Sequence, residues 1–507
     1  MERETDARDQ SALERLCGRL AGPVRSYRLP FLAGLCAGLL AHGFAFANKL
    51  PNQDDVAATF SKGGSLDVGR WAIEGTQLLF PNVSMPWVYG LLTLLLFALS
   101  ACVILHCFRL RRPLLQAAFS VCLLVFPALT ATFCFMFTSV SYALSFLLAV
   151  LSVDLGCRER RSLRLLGCAL LVLSLGVYQA YLAVAASLWV LLMIQKLLQG
   201  EKTGAVLRFG LLALARLLGA LAVYGLISVL VMRLSGSGVL NYGVGGRSLP
   251  YRLALAYNAL LKSFTRGYFG YVNSPLSKAL HALLLLFLAA FFLSRLLGRG
   301  GVREKLLLLV CLLLLPLSMN CMFLAADAEI IHSLVLYSFV AVYVLALIAA
   351  DCLTGENGRR SRDMLLVCLL LISMGNIYFA NKCYLKLFFQ YEQAQSFYTG
   401  LLTQIRQTEG YDADSRIALL GSPAEGIYTA PELDLGGLRG PNDDAHALVF
   451  YTKEDFIRLY LGADLRFADA YQQAALQKDP RVRAMPCYPY YGCIQKIDDF
   501  IVVRLGQ

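Results

Sequence analysis

Residues Leu29 to Ala47 read LPFLAGLCAGLLAHGFAFA, and they run directly into Asn48-Lys49-Leu50-Pro51-Asn52-Gln53-Asp54-Asp55. The first part is uninterrupted by charge and close to the ~20 residues that cross a hydrocarbon core. The second turns polar at once and sets two carboxylates side by side. A membrane span that delivers a polar loop to the bilayer surface is the economical reading. Adjacent carboxylates beside a bilayer are costly unless they face water or a partner, so the loop is expected to carry function. It continues through Gly63-Gly64 and closes on Gly69-Arg70-Trp71. A local role is compatible with that: Asp54 and Asp55 at the start of a short helix beginning near Val56 would satisfy free amides there.

The rest of the chain has the same character. Of 507 residues, 58% are hydrophobic and only 16% are charged, and the mean hydropathy is +0.59. These values belong to polytopic membrane proteins. The formal charge of +12 does not indicate nucleic acid, because of where it sits. Its densest clusters, Arg109 to Arg112, Arg158 to Arg161, Arg295 to Lys305 and Arg359 to Arg362, are short breaks between apolar runs. Cytoplasmic loops look like that under the positive-inside rule. The cysteines lie mostly singly within apolar runs, where they act as small hydrophobes. Without a paired CxxC, and with 5 histidines, a zinc site is not expected. Cys487 and Cys493 are close enough in sequence to form a disulfide if their region faces an oxidising compartment.

Working outward, residues 1–28 form a cytoplasmic amphipathic prelude, and residues 29–381 a membrane domain of about eleven helices. The spans run near 29–47, 85–107, 114–133, 139–155, 163–177, 180–198, 209–232, 277–295, 306–324, 330–350 and 364–380. Two long outer loops, 48–84 and 233–277, interrupt them. With the N-terminus inside, eleven spans leave residues 382–507 outside. That tail begins as a helix from Lys382 to Gln407. Arg416 to Gly421 and Asp499 to Leu505 then read as strands, giving a small extracytoplasmic α/β domain. The expected fold class is therefore mainly α, polytopic, with a small α/β domain at the end.

The outer surface holds the informative polar groups. After the seventh span come Gly236, Gly238, Gly243, Gly245 and Gly246, then Arg247, Arg252, Lys262 and Arg266. Basic residues on the outer side run against the usual bias, and an anionic phosphate presented at the membrane would account for them. Contact with lipid headgroups accounts for them equally well. Leu253, Tyr257, Leu260, Leu261 and Phe264 share one helical stripe, as in a helix lying in the interface. The glycines lack the GxxxxGK[ST] frame of a phosphate loop. Tyr178 and Gln179 at a hairpin tip can offer hydroxyl and amide groups to a sugar, or sit in an aromatic belt. Asp327, Glu329 and His332 gather between two spans, lining a pocket or capping the hairpin. Carboxylates and basic groups on the outer face suit inverting sugar transfer. There an Asp takes the acceptor hydroxyl proton and cations stabilise the departing phosphate.

His42 to Asp55, followed by Gly69-Arg70-Trp71, resembles the opening of the GtrII-type glucosyltransferases. The likeness continues in Leu175 to Tyr181, Ile331 to Tyr337, Asn376 to Asn381 and Tyr488 to Val503. The resemblance implies a membrane-embedded fold of the GT-C kind. It also implies transfer of glucose from a polyprenyl-phosphate carrier to a cell-surface glycan, at the outer face of a bacterial plasma membrane. Carried over, Asp54 or Asp55 is the catalytic carboxylate; this chain has two acids where relatives have one, so the choice stays open. Arg70, Arg247 and Arg252 are the candidates for the donor phosphate, and Tyr178, Gln179, Asp327, Glu329 and His332 for the sugar or acceptor pocket. No metal or cofactor is required, although paired carboxylates are also ligands that a hard divalent cation selects. The expected partners are the lipid-linked sugar donor, a glycan or lipid-linked glycan acceptor and membrane lipid, with no nucleic acid. The rivals are a flippase or transporter of lipid-linked saccharide, and a glycan polymerase or ligase. The first predicts charges at mid-span, where this chain is apolar.

Overall fold

The computed structural model describes residues 26–58, 66–80, 83–236, 248–265, 274–298, 300–326, 331–422, 438 and 452–506. Most of the expected cytoplasmic prelude, residues 1–28, therefore lies outside the described residues. In chain order the helices are α1 (Arg28–Ala47), α2 (Gln53–Ala58), α3 (Trp71–Gln77), α4 (Pro86–Phe108), α5 (Pro113–Leu124), α6 (Pro127–Phe133), α7 (Ser139–Gly156), α8 (Arg161–Val177), α9 (Leu182–Leu198), α10 (Thr203–Ser235), α11 (Leu249–Thr265), α12 (Pro275–Leu297), α13 (Val302–Met319), α14 (Ala341–Asp351) and α15 (Gly355–Gln407). Strand β1 (Arg416–Leu420), helix α16 (Lys453–Asp455), strand β2 (Arg466–Phe467), helices α17 (Ala470–Leu476) and α18 (Pro480–Ala484), and strands β3 (Ile494–Ile497) and β4 (Phe500–Arg504) follow.

Among the described residues, nine helical stretches are long and apolar enough to cross a membrane. The remaining two segments expected to span, α8 and α13, are helices of 17 and 18 residues that fall outside those nine. The stretch expected as one span at 114–133 is broken. Pro127 has no amide hydrogen and holds Phe126 extended at ψ 137°, so α5 stops and α6 begins anew. Conversely, the eleventh span and the tail helix are one helix of 53 residues, about 80 Å long at 1.5 Å per residue. No proline interrupts it, and Asn381 donates back to the Ile377 carbonyl (2.9 Å) instead of ending the helix.

The chain divides into two compact units. The first comprises residues 1–47, 64–81 and 85–381; the second comprises 48–63, 82–84 and 382–507. In the first, the segment Ser333–Asp351 is 94% buried and forms the centre. There Tyr337 stacks on Phe97 (4.8 Å between centroids) and donates to the Leu123 carbonyl at 2.5 Å. At the opposite extreme, only 11% of the apolar window of α10 is buried, as suits a helix whose solvent is lipid.

The second unit is built on a four-stranded sheet of order β2-β1-β4-β3. β1 runs parallel to both neighbours, with Ile417 opposite Ile501 and Leu419 opposite Val503, while β3 pairs antiparallel to β4. Side chains alternate faces along a strand. Ile417, Leu419, Ile501 and Val503 accordingly meet Phe397, Tyr398, Leu401 and Ile405 of α15 and Phe456. Ala418, Leu420 and Val502 face Leu476, Val482 and Met485 on the other side. Burial on both faces explains why β1 and β4 are continuous apolar runs. Val56 of α2, fully buried, belongs to the first of these cores. On the unit's surface Arg481 forks to Asp479 (2.8 Å) and Asp498 (2.6 Å), which holds both carboxyls below the usual carboxylate range.

Candidate functional site

The paired carboxylates lie in α2, in the second unit. The helix starts at Gln53, three residues before the expected Val56, because Asn52 is its cap: the Asp55 amide donates to Asn52 Oδ1 (2.9 Å). Asp54 and Asp55 thus occupy the first turn, the favourable end of the helix for negative charge, and do not themselves cap it. Asp55 is 1% exposed, and its Oδ2 accepts from Ser84 Oγ at 3.2 Å. Asp54 is half-buried. Buried Val56 anchors the same short helix, so the carboxylates are fixed from the backbone, from Ser84 and from the apolar core.

Arg70 belongs to the first unit, immediately before α3. Its Nη1 donates to the Tyr142 hydroxyl of α7 (3.1 Å), and its guanidinium lies 5.1 Å from the Tyr178 ring centroid. Tyr142 and Tyr178 are stacked at 4.1 Å. A cation held over one ring and bonded to the next is a rigid positive group. Gln179 Nε2 donates to the Val68 carbonyl (2.6 Å) and the Tyr224 hydroxyl (2.9 Å), and Tyr224 donates onward to the Gly69 carbonyl (3.2 Å). Gly69 has φ +75°, and a Cβ there would stand 2.7 Å from the Tyr224 hydroxyl. Gly176 leaves room for the Trp71 ring, which a Cβ would meet at 2.7 Å. The Gly69-Arg70-Trp71 stretch is thereby moulded onto α8 and α10.

Several expected features are placed differently. Tyr178 is 3% exposed, so it is part of a packed cluster and not of an aromatic belt. Arg252 is 7% exposed and donates through Nη1 to the Leu324 carbonyl (2.7 Å). α11 buries Arg252, Ala256, Ala259 and Ser263, and leaves Tyr257 and Leu261 exposed. Leu253, Leu255 and Leu260 are half-buried and Phe264 is buried, while the Tyr257 hydroxyl donates to the Leu313 carbonyl (2.7 Å). His332 precedes a 3-10 turn at Ser333–Val340 and is half-buried. Arg247, Asp327 and Glu329, together with most of the glycine cluster, lie outside the described residues. Among the described residues no three His, Cys, Asp or Glu side chains gather as metal ligands. Tyr142 and Tyr224 were not singled out by sequence; as single residues within apolar segments, they carry no spacing signal.

A family model described as Glucosyl transferase GtrII matches residues 43–345, more than half of the chain. The chain belongs to the GtrII glucosyltransferase family. The matched region opens within α1 and takes in the Asp54-Asp55 pair, Arg70 and the Tyr178-Gln179 turn, while the resemblance in Asn376 to Asn381 and in the tail lies beyond it. Comparison with curated proteins and with solved structures returns no significant match. Membership in the GtrII family, with several apolar helices, supports a multi-pass membrane glycosyltransferase with a sugar donor and an acceptor.

Proposed function

We propose that this protein transfers a glucosyl or similar hexosyl group from a polyprenyl-phosphate carrier to a cell-surface glycan, at the outer face of a bacterial plasma membrane. Family membership carries the reading. The fixed setting of the α2 carboxylates adds a reason to look there for the base. In this mechanism Asp54 or Asp55 removes the proton from an acceptor hydroxyl. The hydroxyl oxygen attacks the anomeric carbon, the bond from that carbon to the phosphate oxygen breaks, and the phosphate leaves with the electron pair. Inversion at the anomeric carbon follows from a single displacement. Arg70 and Arg252 are the described cations assigned to the phosphate, with Arg247 as a further candidate, since a guanidinium fork matches phosphate oxygens. Tyr178, Gln179 and His332 are assigned to the sugar, and Asp327 and Glu329 remain candidates beside them. The 382–507 region is assigned to the extracytoplasmic side.

The test is transfer of labelled glucose from polyprenyl-phosphate-glucose in membranes containing the protein, compared with Asp54→Asn and Asp55→Asn at matched expression. One silent variant identifies the base. If both variants transfer at the wild-type rate, the carboxylates are structural. If the wild type leaves the donor unconsumed while lipid-linked saccharide crosses the membrane, the transporter reading replaces this one.

A further inference from the structure

From Phe209 to Met232, α10 carries a single charged residue, Arg216. Its apolar window is the least buried of the nine, at 11%, so this cation sits on a helix whose neighbour is largely lipid. A charge there is costly unless it is paired or reaches the headgroups. Among the described residues the half-buried Arg216 guanidinium has no hydrogen-bond or carboxylate partner; it lies over the Trp189 ring, 5.6 Å from the centroid. That contact is part of a ladder between α9 and α10. Trp189 meets the Phe209 ring at 5.3 Å, and Lys196 Nζ stands 5.1 Å from the Phe209 centroid. Trp189 and Lys196 are seven residues apart, as are Phe209 and Arg216, so each pair shares one face of its helix. Lys196 is also bound to Glu201 (2.7 Å). The ladder lies beside the end of a span: Gly156, the last residue of α7, leaves room for the Trp189 indole, which a Cβ would meet at 2.6 Å, and the Arg158–Arg161 cluster follows at once. Side chains on a helix lean toward its N-terminus, which takes the Arg216 guanidinium toward the Thr203 end of α10.

We propose that Arg216, backed by Lys196, binds the phosphate of one anionic phospholipid at the α9–α10 ladder. The guanidinium offers its N–H donors in a planar fork that matches two phosphate oxygens. Trp189 covers one face of that plane and fixes it, which leaves the N–H edge for a ligand. The charge count selects the class of lipid. Arg216 and Lys196 against Glu201 leave one positive charge, which the single negative charge of a phosphodiester neutralises. A zwitterionic lipid brings an ammonium of its own to a site that already has two cations. The acyl part has a path as well. Gly219 is one turn further along α10 from Arg216, and a Cβ there would meet nothing within 4 Å; Val223, one turn beyond, is 47% exposed. This phosphate is not that of a donor held by Arg70. Arg70 and Tyr178 stand at the start of α9, and Lys196 at its end, with 17 residues of helix between, about 25 Å.

The experiment is native mass spectrometry of the full-length protein released from detergent, titrated with phosphatidylglycerol and, separately, with phosphatidylcholine of the same acyl chains. The wild type is expected to bind its first phosphatidylglycerol more tightly than its first phosphatidylcholine. Arg216→Gln should weaken that first anionic lipid about tenfold, as for the loss of a charge-assisted hydrogen bond, and should leave phosphatidylcholine unchanged. Arg216→Lys, which keeps the charge without the fork, should fall between the two. Gly219→Leu keeps the cation and fills the acyl path; it should weaken the same lipid, and it carries the test should Arg216→Gln fail to fold. Equal affinity of the wild type for the two lipids overturns the proposal, as does phosphatidylglycerol binding that none of the variants alters. Displacement of the lipid by excess inorganic phosphate also overturns it, because the site then takes a free anion. Binding is read without turnover, so the outcome of the glucosyl-transfer assay does not bear on it.

Discussion

Replacing Asn52 by alanine tests whether the setting of α2 matters to catalysis. Asn52 is 6% exposed and accepts from the Asp55 amide at 2.9 Å. The substitution removes the cap and leaves that amide without its partner in a buried place. Cap loss costs about 1 kcal/mol, and an orphaned buried donor costs about 1–3 kcal/mol; the two overlap, so about 2 kcal/mol is a fair sum. α2 has six residues, and Ser84 and Val56 are among the contacts that hold it. The frayed state should become about thirtyfold more populated. Two measurements are needed: hydrogen exchange of the 53–58 amides, and glucosyl transfer at matched expression. Faster exchange together with a marked fall in kcat is expected. Asn52→Asp, which caps equally well, should restore both. If the amides exchange faster while transfer continues at the wild-type rate, the carboxylates of α2 do not act in the reaction.

Three further outcomes follow from the geometry. Arg70→Lys keeps the charge but loses the planar fork held by Tyr142 and Tyr178; transfer should fall about a hundredfold if the guanidinium stabilises the leaving phosphate, and wild-type kinetics in donor titrations would refute that role. Gly69→Ala combines a left-handed backbone with a close approach to the Tyr224 hydroxyl. It should cost about 1–3 kcal/mol in thermal unfolding, and adding Tyr224→Phe should recover only the steric part. The Asp479 and Asp498 carboxyls are lowered by Arg481, so their contribution is present above the unfolded carboxylate range and is lost as pH falls through the lowered values. The melting temperature of the protein should therefore drop on acidification below about pH 4, with a shallower drop in the Asp479→Asn, Asp498→Asn double variant.

Hydropathy made the spans legible because lipid demands long apolar helices whatever their neighbours. The break at Pro127 was written in the sequence as well, but the unbroken apolar run around it concealed the change of helix. Strand β3, Ile494–Ile497, was missed because it follows a turn-rich stretch and sets Gln495 and Lys496 side by side between two isoleucines, with no alternation over its four residues. β1 and β4 were found because burial on both faces makes them apolar throughout. The candidate site was legible in its unusual residues, Asp54, Asp55, Arg70 and Gln179, and not in their surroundings. Nothing local announces that α2 shares a core with α15 and the sheet: Val56 and Ala57 are merely two apolar residues in a polar loop. Nor does the sequence announce that Arg252 meets the Leu324 carbonyl, since a guanidinium bonded to a backbone carbonyl has the same sequence signature as one that meets a phosphate.

The apolar core of the second unit joins Val56 to Ile501 and Val503, residues from the two ends of the sequence. A ribosome adding roughly 5–20 residues per second must work for tens of seconds between them. Throughout that interval α1 can already be in the bilayer while the segment carrying the two aspartates waits without its core. The carboxylates therefore gain their fixed setting only after the sheet has closed, and β4, inserted between β1 and β3, closes it. A chain that stalls or is cleaved before Phe500 would have nearly all its membrane helices and an unformed α2. If the α2 carboxylates act in transfer, such products would be inserted and yet inactive, and membrane integration alone would be no measure of functional yield.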